Sequence, residues 1–241
     1  MKKVISQLLF FCLLIVFCIS GYYLFQYGKE EFQAYELEEH LEEEKQSLIE
    51  GENDFTKLLK ENPDTVGWIM IPGTEIDYPV VQTDDDSYYL THDYNKAESG
   101  HGSIFMDYRN SANVSDKHTI LYGHNMKDGT MFHDLNKYKD LDFLSKHRYI
   151  EYRNLNGNYR WEVFSTYSTN VDFDYLQTEF VSNDVFLSFI NNLLTHSQFD
   201  SYEMDLKEED RILTLSTCCN DIENGRRVVH ARLIEERAYV E

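Results

Sequence analysis

The chain has 241 residues with 22 basic and 43 acidic side chains, a formal net charge of −21. That length allows one ordinary domain plus an appendage, and 42% hydrophobic with 15% aromatic content supplies enough apolar material for a packed core. The acidity excludes a nucleic-acid binder, because no basic surface exists to displace phosphate counterions.

The first element is an apolar run from Val4 to Tyr27 with no charge between Lys3 and Lys29. About 20 such residues cross a bilayer core as a helix. Lys2 and Lys3 precede the run and Glu30 and Glu31 follow it, so the positive-inside rule places the N-terminus in the cytoplasm and the remainder outside. A cleaved signal peptide is the competing reading. The run is long for one, and the Cys18-Ile19-Ser20-Gly21 stretch is a poor cleavage pattern, which favours an uncleaved signal-anchor over residues 1–28. Cys12 and Cys18 are then small apolar side chains in lipid.

Residues 29–54 carry eleven acids against Lys29 and Lys45. Phe32, Tyr35, Leu41, Leu48 and Ile49 recur at loosely helical spacing, so this stretch reads as one or two solvated helices. Phe55, Leu58 and Leu59 mark a short helix that packs on the body, and the boundary of an acidic helical segment falls at residues 29–62.

The body, residues 63–241, is strand-rich. Val66–Ile71, the Pro72-Gly73 turn and Ile76–Gln82 read as a hairpin. Further strands are predicted at Gly102–Asp107, His118–Tyr122, Tyr149–Tyr152, Tyr159–Tyr167, Arg211–Thr217 and Arg226–Glu235. Ser182-Asn183-Asp184 caps an amphipathic helix bearing Val185, Phe186, Phe189, Ile190, Leu193 and Leu194. Many strands with few helices predict a mainly β fold, a mixed and largely antiparallel barrel with one helix before the last two strands.

In Leu213-Thr214-Leu215-Ser216-Thr217-Cys218-Cys219, apolar and polar residues alternate. The strand period of two places Cys218 on the polar face and Cys219 on the core face. The same parity in Gly225-Arg226-Arg227-Val228-Val229-His230-Ala231 separates Arg226 from Val229 and Ala231. An antiparallel neighbour would bring Arg226 beside Cys218, where a guanidinium could stabilise a thiolate or an oxyanion. The bland alternative is a surface salt bridge, and Arg227 reads as such a surface or rim residue. Among nine histidines, His124 stands out because it follows an apolar strand and Gly123. A lone histidine is more often structural, but a Cys218–His124 pair this far apart in sequence is compatible with a thiol nucleophile assembled by folding. His101, His118, His133, His147 and His230 have no comparable setting.

Thr214-Leu215-Ser216-Thr217-Cys218 resembles the TLxTC signature of sortases, the cysteine transpeptidases of Gram-positive cell surfaces. Tyr122-Gly123-His124-Asn125-Met126 with Lys127-Asp128-Gly129-Thr130-Met131-Phe132, the segment Gly102–Asn110 and Gly225–Ala231 resemble class B sortases, in family order over about residues 60–237. The resemblance implies a sortase barrel, a nucleophile at Cys218, a histidine at His124 and an arginine at Arg226. It implies Leu90 and Ser216 as sorting-signal contacts, and no metal or cofactor. It further implies cleavage after Thr in a C-terminal sorting signal of a secreted surface protein, a thioester on Cys218, and transfer to a peptidoglycan amine at the cell membrane. Cys219 is a departure, a second thiol where the family is variable. Hydrolysis by a cysteine peptidase and an inactive tethered scaffold are the rival readings. Asp84-Asp85-Asp86 could attract calcium, but three consecutive carboxylates without EF-hand spacing are more often solvated.

Overall fold

The structure is a computed structural model and describes residues 2–49, 55–170, 172–199, 204–219 and 221–239. The chain divides into two compact units, residues 1–43 and 44–241. Helix α1 (Lys2–Ile49) is continuous, so the apolar run and the acidic stretch share one helix rather than forming separate ones. Nothing between the apolar run and the acidic stretch breaks it, because neither proline nor a Gly pair interrupts residues 4–49. Leu9, Phe10, Phe11, Phe17, Leu24 and Phe25 are all exposed. This is the one helix among the described residues long and apolar enough to cross a membrane. The end of the acidic stretch, residues 50–54, lies outside the described residues.

The body opens with α2 (Phe55–Glu61), which buries Phe55 and Leu58 as its apolar spacing predicts. Eight strands follow: β1 (Thr65–Met70), β2 (Asp77–Val81), β3 (Ile104–Met106), β4 (His118–Tyr122), β5 (Tyr149–Asn154), β6 (Gly157–Thr169), β7 (Ile212–Cys219) and β8 (Gly225–Ala238). A short helix α3 (Leu141–Lys146) precedes β5, and α4 (Asn183–Thr195) lies between β6 and β7. The strands close into a barrel in the order β1-β2-β3-β4-β7-β8-β6-β5. Pairs β2–β3 and β4–β7 are parallel and the others antiparallel. Closure leaves no free sheet edge, which removes the liability of unpaired strand backbone.

The hairpin β1–β2 turns where Pro72-Gly73 requires, with Gly73 at φ +79 and Ile71 N–H donating to the Ile76 carbonyl at 2.8 Å. Ser182 caps α4, its Oγ accepting from Val185 N–H. Helix α4 buries Phe186, Phe189, Ile190 and Leu193, whereas Val185 stays exposed in its first turn. Sequence patterning did not anticipate α3 or the 3₁₀ turn Tyr88–Leu90, which are too short for a helical period to register, nor the 3₁₀ turn His133–Lys139, whose three residues per turn do not follow the α-helical period.

Two apolar clusters organise the body. Inside the barrel, Trp161, Tyr152 and Ile69 pack with Leu213, Leu215, Val229 and Ala231. Outside it, α4 covers β6, β7 and β8 through Phe186, Phe189, Ile190, Phe164, Ile212 and Val228. Both faces of β7 are therefore buried, including its polar one: Thr214 is 0% and Ser216 3% exposed. In β7 the exception is Cys218, which is exposed. Arg227 departs from the rim position expected for it. It is 2% exposed, donates from Nη1 to Gln198 Oε1 at 2.8 Å, and lies 3.5 Å from Asp221.

The buried polar face holds a hydrogen-bond chain. His118 Nδ1 lies 2.7 Å from the Gln177 carbonyl, and its Nε2 lies 2.6 Å from Thr214 Oγ1. Thr214 Oγ1 meets His230 Nδ1 at 2.7 Å, and His230 Nε2 meets the Tyr167 hydroxyl at 2.7 Å. A carbonyl can only accept, so His118 Nδ1 carries a proton. With both rings neutral, each later donor is then assigned in turn from Tyr167 through His230 and Thr214 to His118. Burial pulls His118 down to about 4 and His230 well below the ordinary histidine range, the latter also through its neighbours His118 and His196. Asp107 and Asp174 oppose the shift at His118, and Arg109 adds to it.

Both histidines bind protons more readily in the unfolded chain, where the pKa is about 6.5, so their contribution to stability is fully present above that pH and is lost on acidification toward about 4. Urea unfolding of the full chain in detergent should show a midpoint that falls between pH 7 and pH 4.5, with a shallower fall in His118→Asn. A flat profile over this interval would contradict the neutral-histidine chain.

Candidate active site

Three neighbouring strands deliver the three chemical groups. Strand β4 pairs in parallel with β7, Tyr122 opposite Ser216 and His118 opposite Ile212. This constant offset of 94 positions, seen also in the bond from Thr217 Oγ1 to the Gly123 carbonyl at 2.7 Å, sets His124 level with Cys218. Strand β8 runs antiparallel to β7 with Cys218 directly opposite Arg226. Parallel strands end on the same side, and an antiparallel partner begins there, so all three side chains emerge at one end of the barrel. They line a cleft of about 420 Å³ whose apolar wall includes Leu90, Phe105, Tyr122, Phe173 and Leu176.

The histidine is held from both sides. Gly123 permits the approach, because a Cβ there would sit 2.3 Å from Ile104 Cδ1. His124 Nε2 lies 2.7 Å from the Leu90 carbonyl, which fixes the proton on that nitrogen. Gly102, at φ +60, lets the Tyr88–Leu90 turn come close, since a Cβ there would meet the Tyr89 carbonyl at 2.5 Å and His124 Cδ2 at 3.1 Å. The following residue, Asn125, donates from Nδ2 to the Cys218 carbonyl at 3.0 Å and ties the histidine loop to the thiol strand. That loop is anchored again by Asp128, which lies 2.7 Å from His101 Nε2 and accepts from Thr130 N–H and Oγ1. Burial raises the Asp128 carboxyl, but the Thr130 and His101 bonds together hold it below its ordinary value.

Cys218 is exposed and Cys219 is buried, in the order that strand parity predicts. Cys219 Sγ points to the other face, where its contact is Ser168 Oγ at 3.7 Å. Arg226 is half-buried at the cleft, its Nη1 donating to the carbonyls of Gly225 at 3.1 Å and Asn224 at 3.4 Å. Leu90 contributes in two ways, as a 38% exposed side chain in the cleft and as the carbonyl that orients His124. Ser216 also borders the cleft, although its Oγ is buried against the Tyr175 hydroxyl at 2.9 Å.

Asp85 and Asp86 are engaged within the body. Asp85 Oδ1 accepts from Ser87 and Tyr88 amides and lies below its ordinary carboxyl range through the Ser87 bonds. Asp86 Oδ1 accepts from Tyr108 N–H at the cleft edge, and burial raises its carboxyl. Within residues 44–241, among the described residues, no three metal-ligating side-chain atoms converge.

The arrangement offers a thiol nucleophile, an imidazole for proton transfer and a guanidinium able to face an oxyanion, all opening into a peptide-sized apolar cleft. Sequence reasoning missed the role of Asn125, although it lies inside the histidine segment; its signal is the 94-position register, which becomes visible only once β4 and β7 pair.

The family model described as the sortase domain matches residues 69–234. Sortase B of Listeria monocytogenes is 44% identical over 190 residues, 77% of each chain, and sortase B of Staphylococcus aureus is 36% identical over 211 residues, 86% of each. Among solved structures, a Staphylococcus aureus sortase B–substrate complex superposes with a TM-score of 0.79 at 36% identity, covering 86% of this chain and 98% of that one. A Bacillus anthracis protein described as similar to sortase B gives 0.70 at 43% identity, covering 76% and 83%. The chain belongs to the sortase family and, within it, to class B, the sortase B-type cysteine transpeptidases.

Alkylation with iodoacetamide followed by fragment mass mapping should modify Cys218 well before Cys219. Asn125→Ala should lower turnover about fivefold, the equivalent of one ordinary hydrogen bond at ~1 kcal/mol. Unchanged turnover would show that the Asn125 bond leaves the thiol strand indifferent.

Proposed function

We propose that the chain is a membrane-anchored transpeptidase in which Cys218 is the nucleophile, His124 the proton-transfer group and Arg226 the oxyanion donor. The observation that carries this reading is the shared level of the three residues at one barrel end, with Cys218 the exposed thiol in a strand otherwise buried. The Sγ of Cys218 attacks the carbonyl after Thr in a C-terminal sorting signal, and the C–N bond breaks. The departing amine takes from His124 the proton that the Cys218 thiol gave up to the imidazole, and leaves a thioester. An incoming peptidoglycan amine then loses a proton to His124 as it attacks the thioester, and the thiol is released with a new amide bond formed. The thiolate rather than the thiol is the nucleophile, and a neighbouring base or cation favours it. Arg226 donates to the oxygen that becomes negative at each tetrahedral stage. Leu90 and Ser216 border the groove that receives the signal, and the cargo is a secreted surface protein.

In this reading residues 1–28 form a cytoplasmic end and signal-anchor, 29–62 an acidic helical segment and 63–241 the catalytic domain outside the membrane. Support comes from the exposed apolar surface of α1 and the Lys2-Lys3 flank. At ~1.5 Å per residue, residues 4–27 extend about 36 Å, enough for a hydrocarbon core of ~30 Å.

A library of quenched peptides varied over five positions, assayed by mass spectrometry with and without triglycine or diaminopimelate, tests the chemistry. Cleavage after Thr with an amine adduct is the expected result; cleavage that never gives an adduct would point to hydrolysis. Cys218→Ala should abolish both products while Cys219→Ala keeps most activity, and equal loss in both would remove the nucleophile assignment. Arg226→Ala should slow turnover by about 10²–10³, the usual effect of deleting one oxyanion donor. Full-length chain should stay with membranes through an alkaline carbonate wash, and release by that wash would overturn the anchor.

A further inference from the structure

One wall of the cleft has no secondary structure. Residues 172–181 follow β6 and precede α4, and Phe173, Tyr175 and Leu176 among them line the cleft. Among the described residues, no backbone-to-backbone hydrogen bond joins this segment to the rest of the body. A segment with unpaired backbone groups has little local stability of its own unless side chains satisfy them. Here three consecutive residues are held through side chains, to two barrel strands and to the β3–β4 connection. The Tyr175 hydroxyl meets Ser216 Oγ on β7 at 2.9 Å. The Leu176 carbonyl accepts from Arg109 Nη2 at 3.0 Å. The Gln177 carbonyl accepts from His118 Nδ1 on β4 at 2.7 Å.

The two backbone anchors are themselves immobilised. Arg109 grips the fully buried Asp107 through Nε at 2.8 Å and Nη2 at 2.7 Å, and Asp107 also accepts from the Tyr122 hydroxyl at 2.8 Å. His118 is 0% exposed and is held from behind by Thr214 and His230. None of this chemistry is needed to position the thiol, which β7 and β8 already fix.

We infer that His118 and Arg109 are positioning residues for peptide recognition, holding the 175–177 backbone so that the cleft has a preformed wall, and that they act on binding rather than on the bond-breaking step. The inference rests on the reading that this cleft receives the sorting signal. A preformed wall saves the entropy of ordering a loop at each encounter, so loosening it raises KM and leaves kcat nearly intact.

Arg109 also neutralises buried Asp107, so its truncation risks the fold, and the informative substitutions are at His118. In His118→Asn the side-chain amide takes the place of Nδ1 and can still donate to the Gln177 carbonyl. In His118→Gln the amide takes the place of Nε2, reaching Thr214 and leaving that carbonyl unbonded. With the full chain in detergent and the best quenched peptide from the library, His118→Gln should raise KM about fivefold with kcat within about twofold. His118→Asn should stay within about twofold on both. Amide hydrogen exchange should accelerate over 173–177 in His118→Gln while β4, β7 and β8 keep their protection and iodoacetamide reacts with Cys218 at the wild-type rate. Equal effects of the two substitutions, a loss confined to kcat, or unchanged exchange over 173–177 would each overturn the inference. Wild-type chain that cleaves no peptide would defeat the peptide-binding reading instead, a result separable because the exchange and alkylation measurements need no substrate.

Discussion

The parallel pairing of β4 with β7 is the constraint on which the rest of the molecule depends. Its register carries His124 to the level of Cys218, and Asn125 and Thr217 then bind the two strand ends to each other. Were these strands antiparallel, their C-terminal ends would lie on opposite sides of the barrel and the imidazole could not share a cleft with the thiol. Parallel neighbours cannot be joined by a tight turn; they need a long crossover. In this chain the crossover consists of α3, β5, β6, the 172–181 segment and α4. The connection that sets His124 level with Cys218 therefore also supplies the outer layer over β7 and one wall of the cleft.

That outer layer changes what the polar face of the barrel wall is for. Thr214, Ser216, His118 and His230 would be ordinary solvent-facing residues on a bare barrel, yet they are sealed beneath the crossover, Ser216 by Tyr175 of the 172–181 segment. Sealed polar groups are tolerable only when every donor and acceptor is matched, and the Tyr167–His230–Thr214–His118–Gln177 chain achieves this with both rings uncharged. Cys218 escapes the cover because it stands at the end of β7, beyond the reach of α4 and beside the cleft. Exposure of one thiol and burial of its neighbour thus arise from strand parity combined with where the cover ends.

Much of this was legible in the residues. Strand β4 spans the residues its sequence predicts, the cap of α4 falls on Ser182, and period-two alternation separates Cys218 from Cys219 independently of any strand pairing. Arg227 was misplaced because a charged residue in an acidic protein reads as surface, whereas the crossover covers it and brings Gln198 and Asp221 to its guanidinium. Ser216 was read as a groove residue and borders the cleft, but its hydroxyl is turned to Tyr175. The contribution of the Leu90 carbonyl could not be read, since a backbone acceptor leaves no trace in side-chain identity.

By itself the amino-acid sequence determined the apolar helix, the strand-rich body and the chemical identities of the thiol, imidazole and guanidinium, because hydropathy and period are properties of neighbouring residues. Only the tertiary structure decided which groups meet. Pairing of β4 with β7 and of β7 with β8 depends on barrel closure across long stretches of chain, and so do the proton positions on His118 and His124. Those positions follow from carbonyls 59 and 34 positions away, at distances no local pattern encodes.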